Sequence, residues 1–232
     1  MLNQSRGKLI VFEGGEGVGK TTQLHRLFEW LKHCNTLKQL QSQGHVAGIK
    51  LTRQPGGTEL GGRLRQLLLT EVLEQPIEDT AELLLYAADR AQHVAEVIRP
   101  QLEAGFIVLC DRYTDSTVAY QGYGRGLNLS LIDRLNEIAT GGLHSDLTFW
   151  LKLDVTAGLA RTQRRGAADR IEQNQLDFHQ RVQQGFESLA QTDSNRIVAI
   201  AADGDEAAIA AEIQQIIQQR LIQWYHPHST RF

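Results

Sequence analysis

A doubly wound α/β fold, with a five-stranded parallel sheet, flanking helices and a small lid, is the architecture this sequence predicts. Three observations predict it. Short apolar runs at 8–13, 48–53, 106–111, 146–154 and 196–201 alternate with longer helical patterns. Several of these runs are continuous rather than alternating, which is how strands buried on both faces read. A glycine-rich turn, Gly14 to Gly19, separates the first run from the helical pattern after it. Such alternation builds a parallel sheet covered on both sides, with ligands at the carboxyl ends of the strands.

Helical segments are expected near 19–41, 58–70, 78–104, 128–140, 156–166, 172–192 and 205–224. The 232 residues (1–232) suit a single domain with a lid at about 160–172 and a loose tail at 225–232. The stretch 34–45 is polar and Gln-rich and either extends the first helix or forms a surface loop.

Composition excludes several classes. Hydrophobic residues at 41% and charged residues at 22% are ordinary for a globular protein. A formal net charge of -3 argues against duplex nucleic acid as partner, although local arginines still bind small anions. The two cysteines, Cys34 and Cys110, make neither a four-ligand zinc site nor a disulfide framework. Cys110 lies in an apolar run and is expected to be a buried strand residue. The polar start lacks a signal peptide's apolar core, and no apolar stretch reaches the roughly 20 residues of a membrane helix. A cytoplasmic location without membrane contact is expected.

The strongest chemical signal is Gly14-Gly15-Glu16-Gly17-Val18-Gly19-Lys20-Thr21-Thr22, which fits G-x-x-x-x-G-K-[ST] between a strand and a helix. Glycines let the backbone turn its N–H groups inward, and the helix N-terminus adds free donors and a favourable dipole for phosphate. Lys20 is expected to reach the β- and γ-phosphates of ATP, and the Thr21 hydroxyl to ligate Mg2+. The run 106–111 ends in Asp111, placed to hold the same metal or its water.

A phosphate loop alone serves motors, GTPases, transporters and kinases. No Asn-Lys-x-Asp guanine motif occurs. Arg53 ends the second strand, Arg112 follows Asp111, and Arg90 lies on the long helix after Asp79-Thr80. Guanidinium forks suit a second anionic ligand beside ATP. Tyr86 and Arg90, four apart, share a helix face able to stack on and hydrogen-bond a base. Thr117, Tyr120 and Gln121 have the spacing of a short helical wall with polar tips. Arg161, Arg164 and Arg165 share another face before Gly166 breaks the helix, a pattern suited to a mobile lid.

These elements, with Thr52-Arg53-Gln54-Pro55-Gly56-Gly57-Thr58, Tyr86-Ala87-Ala88-Asp89-Arg90, Asp111-Arg112-Tyr113 and Ala119-Tyr120-Gln121-Gly122, resemble bacterial thymidylate kinases over about residues 8–222. The resemblance implies transfer of the γ-phosphoryl of ATP to dTMP by a homodimer. It implies that Glu16 contacts the sugar 3′-hydroxyl and that Arg53 and Arg112 hold the acceptor phosphate. Tyr86 would stack on thymine, and Arg90 and Thr117 would bind its edge. Tyr120 would crowd the 2′ position, with Gln121 in the same pocket segment. The loop carries no cation between Glu16 and Gly19, so the lid's Arg164 or Arg165 is expected to be catalytic with Lys20 and Arg112. The family's Arg-Glu-Pro-Gly-Gly is Arg-Gln-Pro-Gly-Gly here, which removes a carboxylate from beside Arg53. The alternatives are a kinase for dCMP or a deoxynucleoside, and an ATP-gated binding module. The acceptor phosphate needs no general base, so catalysis reduces to positioning and electrostatics.

Overall fold

A computed structural model describes residues 6–70, 74–164 and 169–225. Five strands fall on the apolar runs: β1 (Leu9–Glu13), β2 (Gly48–Arg53), β3 (Phe106–Asp111), β4 (Leu147–Lys152) and β5 (Ile197–Ala201). They form one sheet ordered β2-β3-β1-β4-β5, with every neighbouring pair parallel. Among the described residues the α-helices are α1 (Lys20–His33), α2 (Asn35–Ser42), α3 (Glu59–Leu69), α4 (Asp79–His93), α5 (Arg99–Glu103), α6 (Thr114–Thr117), α7 (Leu129–Thr140), α8 (Val155–Gln163), α9 (Leu176–Thr192) and α10 (Glu206–Tyr225), with π-helical turns at Val94–Ile98 and Val118–Gly124.

The continuous apolar runs make sense once both faces are covered. Successive side chains of a strand point to opposite sides. Ile10, Phe12, Leu109 and Phe149 pack with Leu24, Leu27 and Leu31 of α1 and Ile213, Ile217 and Leu221 of α10. Their neighbours Leu9, Val11, Val108 and Cys110 pack with Val94, Ile98 and Leu102 on the other side. Each such burial contributes about 1.5–3 kcal/mol. Cys110 is thus buried in its strand as expected, and both cysteines are buried free thiols.

Several boundaries differ from expectation. The segment 19–41 is not one helix: the chain turns at Cys34 (φ −64°, ψ 121°) and restarts as α2. The reason is that Leu37 and Leu40, three apart in a polar stretch, reach the α1–α10 core. The segment 78–104 is helical but widens into a π turn at Val94–Ile98, just before Pro100, whose ring cannot donate to a regular ladder. Helix α9 starts at Leu176 rather than 172, because Asp169 Oδ1 caps a separate turn by accepting from Ile171 N and Glu172 N. Tyr225, where the loose tail is expected to start, is still helical and buried. Residues 226–232 lie outside the described residues. No described helix is long and apolar enough to cross a membrane.

Candidate active site

The phosphate loop follows β1 and ends where α1 begins at Lys20. Gly14 and Gly17 adopt positive φ, at 139° and 67°. Both also lack room for a side chain. A Cβ at Gly14 would lie 2.6 Å from the Leu151 carbonyl oxygen, and one at Gly17 would lie 2.1 Å from that of Gly158 on α8. The loop is therefore gripped by β4 and by α8. Lys20 Nζ donates to the carbonyls of Gly14 (3.1 Å) and Gly15 (2.5 Å) inside the loop. Burial, and then Arg112, pull its pKa down to about 8. An anionic phosphate beside it would raise that value.

Thr21 and Asp111 come together as the sequence predicts. The Thr21 hydroxyl donates to Asp111 Oδ2 at 2.8 Å. A hydroxyl and a carboxylate of this kind are hard oxygen donors that suit Mg2+. The cleft at this point is lined by Glu16 to Thr22 of the loop and by Arg53, Asp111 and Arg112. Arg53 and Lys20 thus border one space, with Arg53 exposed at the end of β2.

A second cavity adjoins the first. Tyr86, Arg90, Thr117, Tyr120 and Gln121 all line it, together with Glu16 and Arg112. Arg65 of α3, which sequence reasoning missed, lines both spaces. Burial lowers its pKa, and the like charges of Arg53 and Arg112 lower it further, so three guanidiniums crowd one point. Its place on the α3 face behind Pro55-Gly56-Gly57 was a usable signal. Asp169 also lines both spaces and Ile171 lines the second, so the end of the segment expected as the lid forms a wall of this cavity.

Glu16 and Arg112 stand at the boundary. Arg112 Nη2 donates to Glu16 Oε1 at 2.9 Å, and the Tyr120 hydroxyl donates to the same oxygen at 2.6 Å. Burial alone would raise the Glu16 carboxyl, but Arg112 and Lys20 outweigh it and bring the pKa down to about 2. Arg112 Nη1 donates to Gly14 O at 3.0 Å, and its guanidinium lies 5.0 Å from the Tyr120 ring centroid. Arg112 is the one described non-glycine residue with positive φ, at 67°. That conformation costs about 1–3 kcal/mol and persists only where neighbours hold it.

Arg90 departs from a simple edge donor. Its guanidinium is buried and donates to Gln54 Oε1 (2.9 Å), Asn136 Oδ1 (2.7 Å), the Tyr113 carbonyl (3.2 Å) and Thr117 Oγ1 (2.6 Å). Gln54 thus acts on Arg90, not on Arg53, and the missing carboxylate bears on the buried cation. Its amide nitrogen lies 3.3 Å from His93 Nδ1, while His93 Nε2 meets Thr52 Oγ1 at 2.6 Å. Burial, then Arg90, hold His93 neutral with a pKa of about 4. Gln121 donates to the buried Glu82 at 2.8 Å, and Glu82 also pairs with Arg125 and Arg170. The acceptor wall and the end of the expected lid segment therefore share one carboxylate.

The segment expected to form the lid lies only in part among the described residues. Helix α8 ends at Gln163, not 166 as expected, with Arg164 exposed as its C-cap. Arg165 lies outside the described residues, as do 166–168. Arg161 donates to Ala202 O at 3.4 Å and borders a further cleft with Gly17, Gly19 and Thr22.

Fold and site define a P-loop phosphotransferase with an adjoining pocket for a second ligand. A sequence profile described as Thymidylate kinase matches residues 12–213. The chain belongs to the thymidylate kinase family. The Thymidylate kinase of a Cyanothece species is 57% identical, covering 95% of this chain and 97% of the relative. That of Trichodesmium erythraeum is 54% identical over 94% of this chain and 98% of its own. A crystal structure of thymidylate kinase from Ehrlichia chaffeensis is 34% identical, with a TM-score of 0.70 over 92% of this chain and 99% of that one.

Proposed function

We propose that this chain transfers the γ-phosphoryl group of ATP to dTMP, giving dTDP and ADP in dTTP synthesis. One observation carries the reading: the cleft beside Lys20 and the cavity beside Tyr86 adjoin, sharing Glu16, Gln54, Arg65, Arg112 and Asp169 in their walls. Two nucleotides laid end to end would meet with their phosphates at Arg112.

In this reading the loop amides and Lys20 hold the ATP phosphates, and Arg53, Arg112 and Arg65 hold the acceptor phosphate. Tyr86 stacks on thymine, Arg90 and Thr117 address its edge, and Tyr120 crowds the 2′ position with Gln121 behind it. Glu16 receives the 3′-hydroxyl. Thr21 and Asp111 are the residues that would hold Mg2+, which when bound screens the phosphate charge. Arg164 or Arg165 reaches the transferring group as the lid closes and excludes water. The attacking oxygen is already anionic, so these residues act by bringing two polyanions together and stabilising the charge between them.

A cytoplasmic homodimer is part of the proposal. Leu84 of α4 and Leu131 and Ile138 of α7 are exposed, at 51%, 45% and 77%, and offer apolar surface for a second copy. Sedimentation would measure its mass.

The experiment is ADP release with magnesium, ATP and dTMP, dUMP, dCMP, AMP or thymidine in turn. Release driven by dTMP above the others supports the reading. A faster rate with dCMP or thymidine replaces the substrate, and ATP binding without acceptor-dependent release replaces the enzyme with a binding module.

A further inference from the structure

Beneath Arg112 lies a buried acid, Glu13, that lines neither the nucleotide cleft nor the acceptor cavity. It ends β1 immediately before the phosphate loop. Its carboxylate collects three hydrogen bonds from one turn. Oε1 accepts from Tyr113 N–H at 2.7 Å and from Ser116 N–H at 3.1 Å. Oε2 accepts from the Ser116 hydroxyl at 2.5 Å. Ser116 Oγ in turn accepts from Arg112 Nη1 at 3.1 Å. Donation therefore runs in one direction, from guanidinium to hydroxyl to carboxylate.

The partners are not arbitrary. The two N–H groups that Glu13 takes follow Arg112 in the chain, and Arg112 is the residue held at positive φ. A carboxylate there is also costly. Desolvation, and then the charge of Asp115, raise its pKa to about 7. Packing needs alone would be met by a neutral side chain of the same shape. In Glu13→Gln the amide nitrogen would face Ser116, so the serine oxygen would receive two donors and its own hydrogen would lose its acceptor. Arg112 would keep Gly14 and Glu16 but lose the polarised tether on Nη1.

We propose that Glu13 is a positioning residue for phosphoryl transfer: through Ser116 and the backbone of the Tyr113 turn, it fixes the direction in which Arg112 presents its guanidinium to the acceptor phosphate. Three N–H bonds of Arg112 then go to protein oxygens, Gly14 O, Ser116 Oγ and Glu16 Oε1, and set the plane of the remaining fork. Glu13 itself touches no substrate. This deepens the reading of the acceptor site above and rests on Arg112 binding the acceptor phosphate.

The test compares Glu13→Gln, Ser116→Ala, the double variant and Arg112→Ala by ADP-release kinetics, with folding checked by circular dichroism. Glu13→Gln and Ser116→Ala are each expected to raise the dTMP KM about tenfold while the ATP KM moves less than about twofold. The double variant should be no worse than the worse single one, because both cut one chain of bonds. Ser116→Ala should have no added effect in the Arg112→Ala background. If Glu13→Gln does not fold, this last pair decides the matter. Acceptor kinetics unchanged in Glu13→Gln, both KM values raised alike, or independent multiplication of the two effects would each overturn the proposal. An Arg112→Ala enzyme with an unchanged dTMP KM would instead remove the underlying assignment of Arg112.

Discussion

Thr21 Oγ1 and Asp111 Oδ2 lie 2.8 Å apart although 90 positions separate them in the chain. The cause is sheet order. β1 and β3 are direct neighbours with Phe12 beside Asp111, so the residue ending β3 stands next to the loop leaving β1. Neither oxygen needs to move far to share a cation.

That pair makes the metal dependence testable. Asp111→Ala should raise the magnesium concentration for half-maximal activity about tenfold or more while the protein stays folded, since the group is partly exposed. A magnesium titration that superimposes on the wild-type curve would contradict the role.

The phosphate cradle and the crowded guanidiniums should respond differently. Lys20→Ala is expected to lower kcat by at least about 10²-fold, because its charge acts on the transferring group. Arg65→Ala should chiefly raise the dTMP KM, since it lines both spaces together with Arg112, with Arg53 on the cleft side. Steady-state kinetics with each substrate varied separates the two patterns, and a turnover near wild type for Lys20→Ala would contradict the loop's role.

On the lid, Arg164→Ala combined with Arg165→Ala should lower kcat more than it raises either KM, by about 10³-fold for an arginine acting in the transition state. Arg161→Ala should instead raise the ATP KM, given its position beside Gly19 and Thr22. An effect of the double variant on KM alone would make Arg164 and Arg165 binding residues.

Stability should depend on pH with opposite signs at two acids. Glu16 is depressed from 4.5 to about 2, the attraction of Arg112 and Lys20 outweighing burial, so its contribution is fully present above pH 4.5 and is lost as pH falls toward 2. Glu13 is raised by burial to about 7, so the native state takes up a proton between pH 7 and 4.5 that the unfolded chain does not. Wild type should therefore gain stability relative to Glu13→Gln as pH falls from about 8 to 5, by an amount on the order of 1–3 kcal/mol. It should lose stability relative to Glu16→Gln below about 4.5. Urea midpoints across that range measure both, and parallel curves would refute the signs.

Local chemistry determined much of this protein from its sequence alone. The five strands lie where apolar runs of 8–13, 48–53, 106–111, 146–154 and 196–201 place them, because a strand covered on both faces favours apolar side chains on both. The phosphate loop is equally legible, since its glycine spacing, Lys20 and Thr21 all act within one turn. The break at Cys34 was not legible, because two leucines in a polar stretch become core only when α10 lies beneath them. Nor were Gln54 against Arg90 or Glu13 under Arg112. Each of those pairings joins residues far apart in the chain, and β2-β3-β1 adjacency with the turn after β3 decides which side chains converge. Hydrogen bonds and charges act over a few ångströms, so their partners are set by where the packed sheet delivers them and not by position along the sequence.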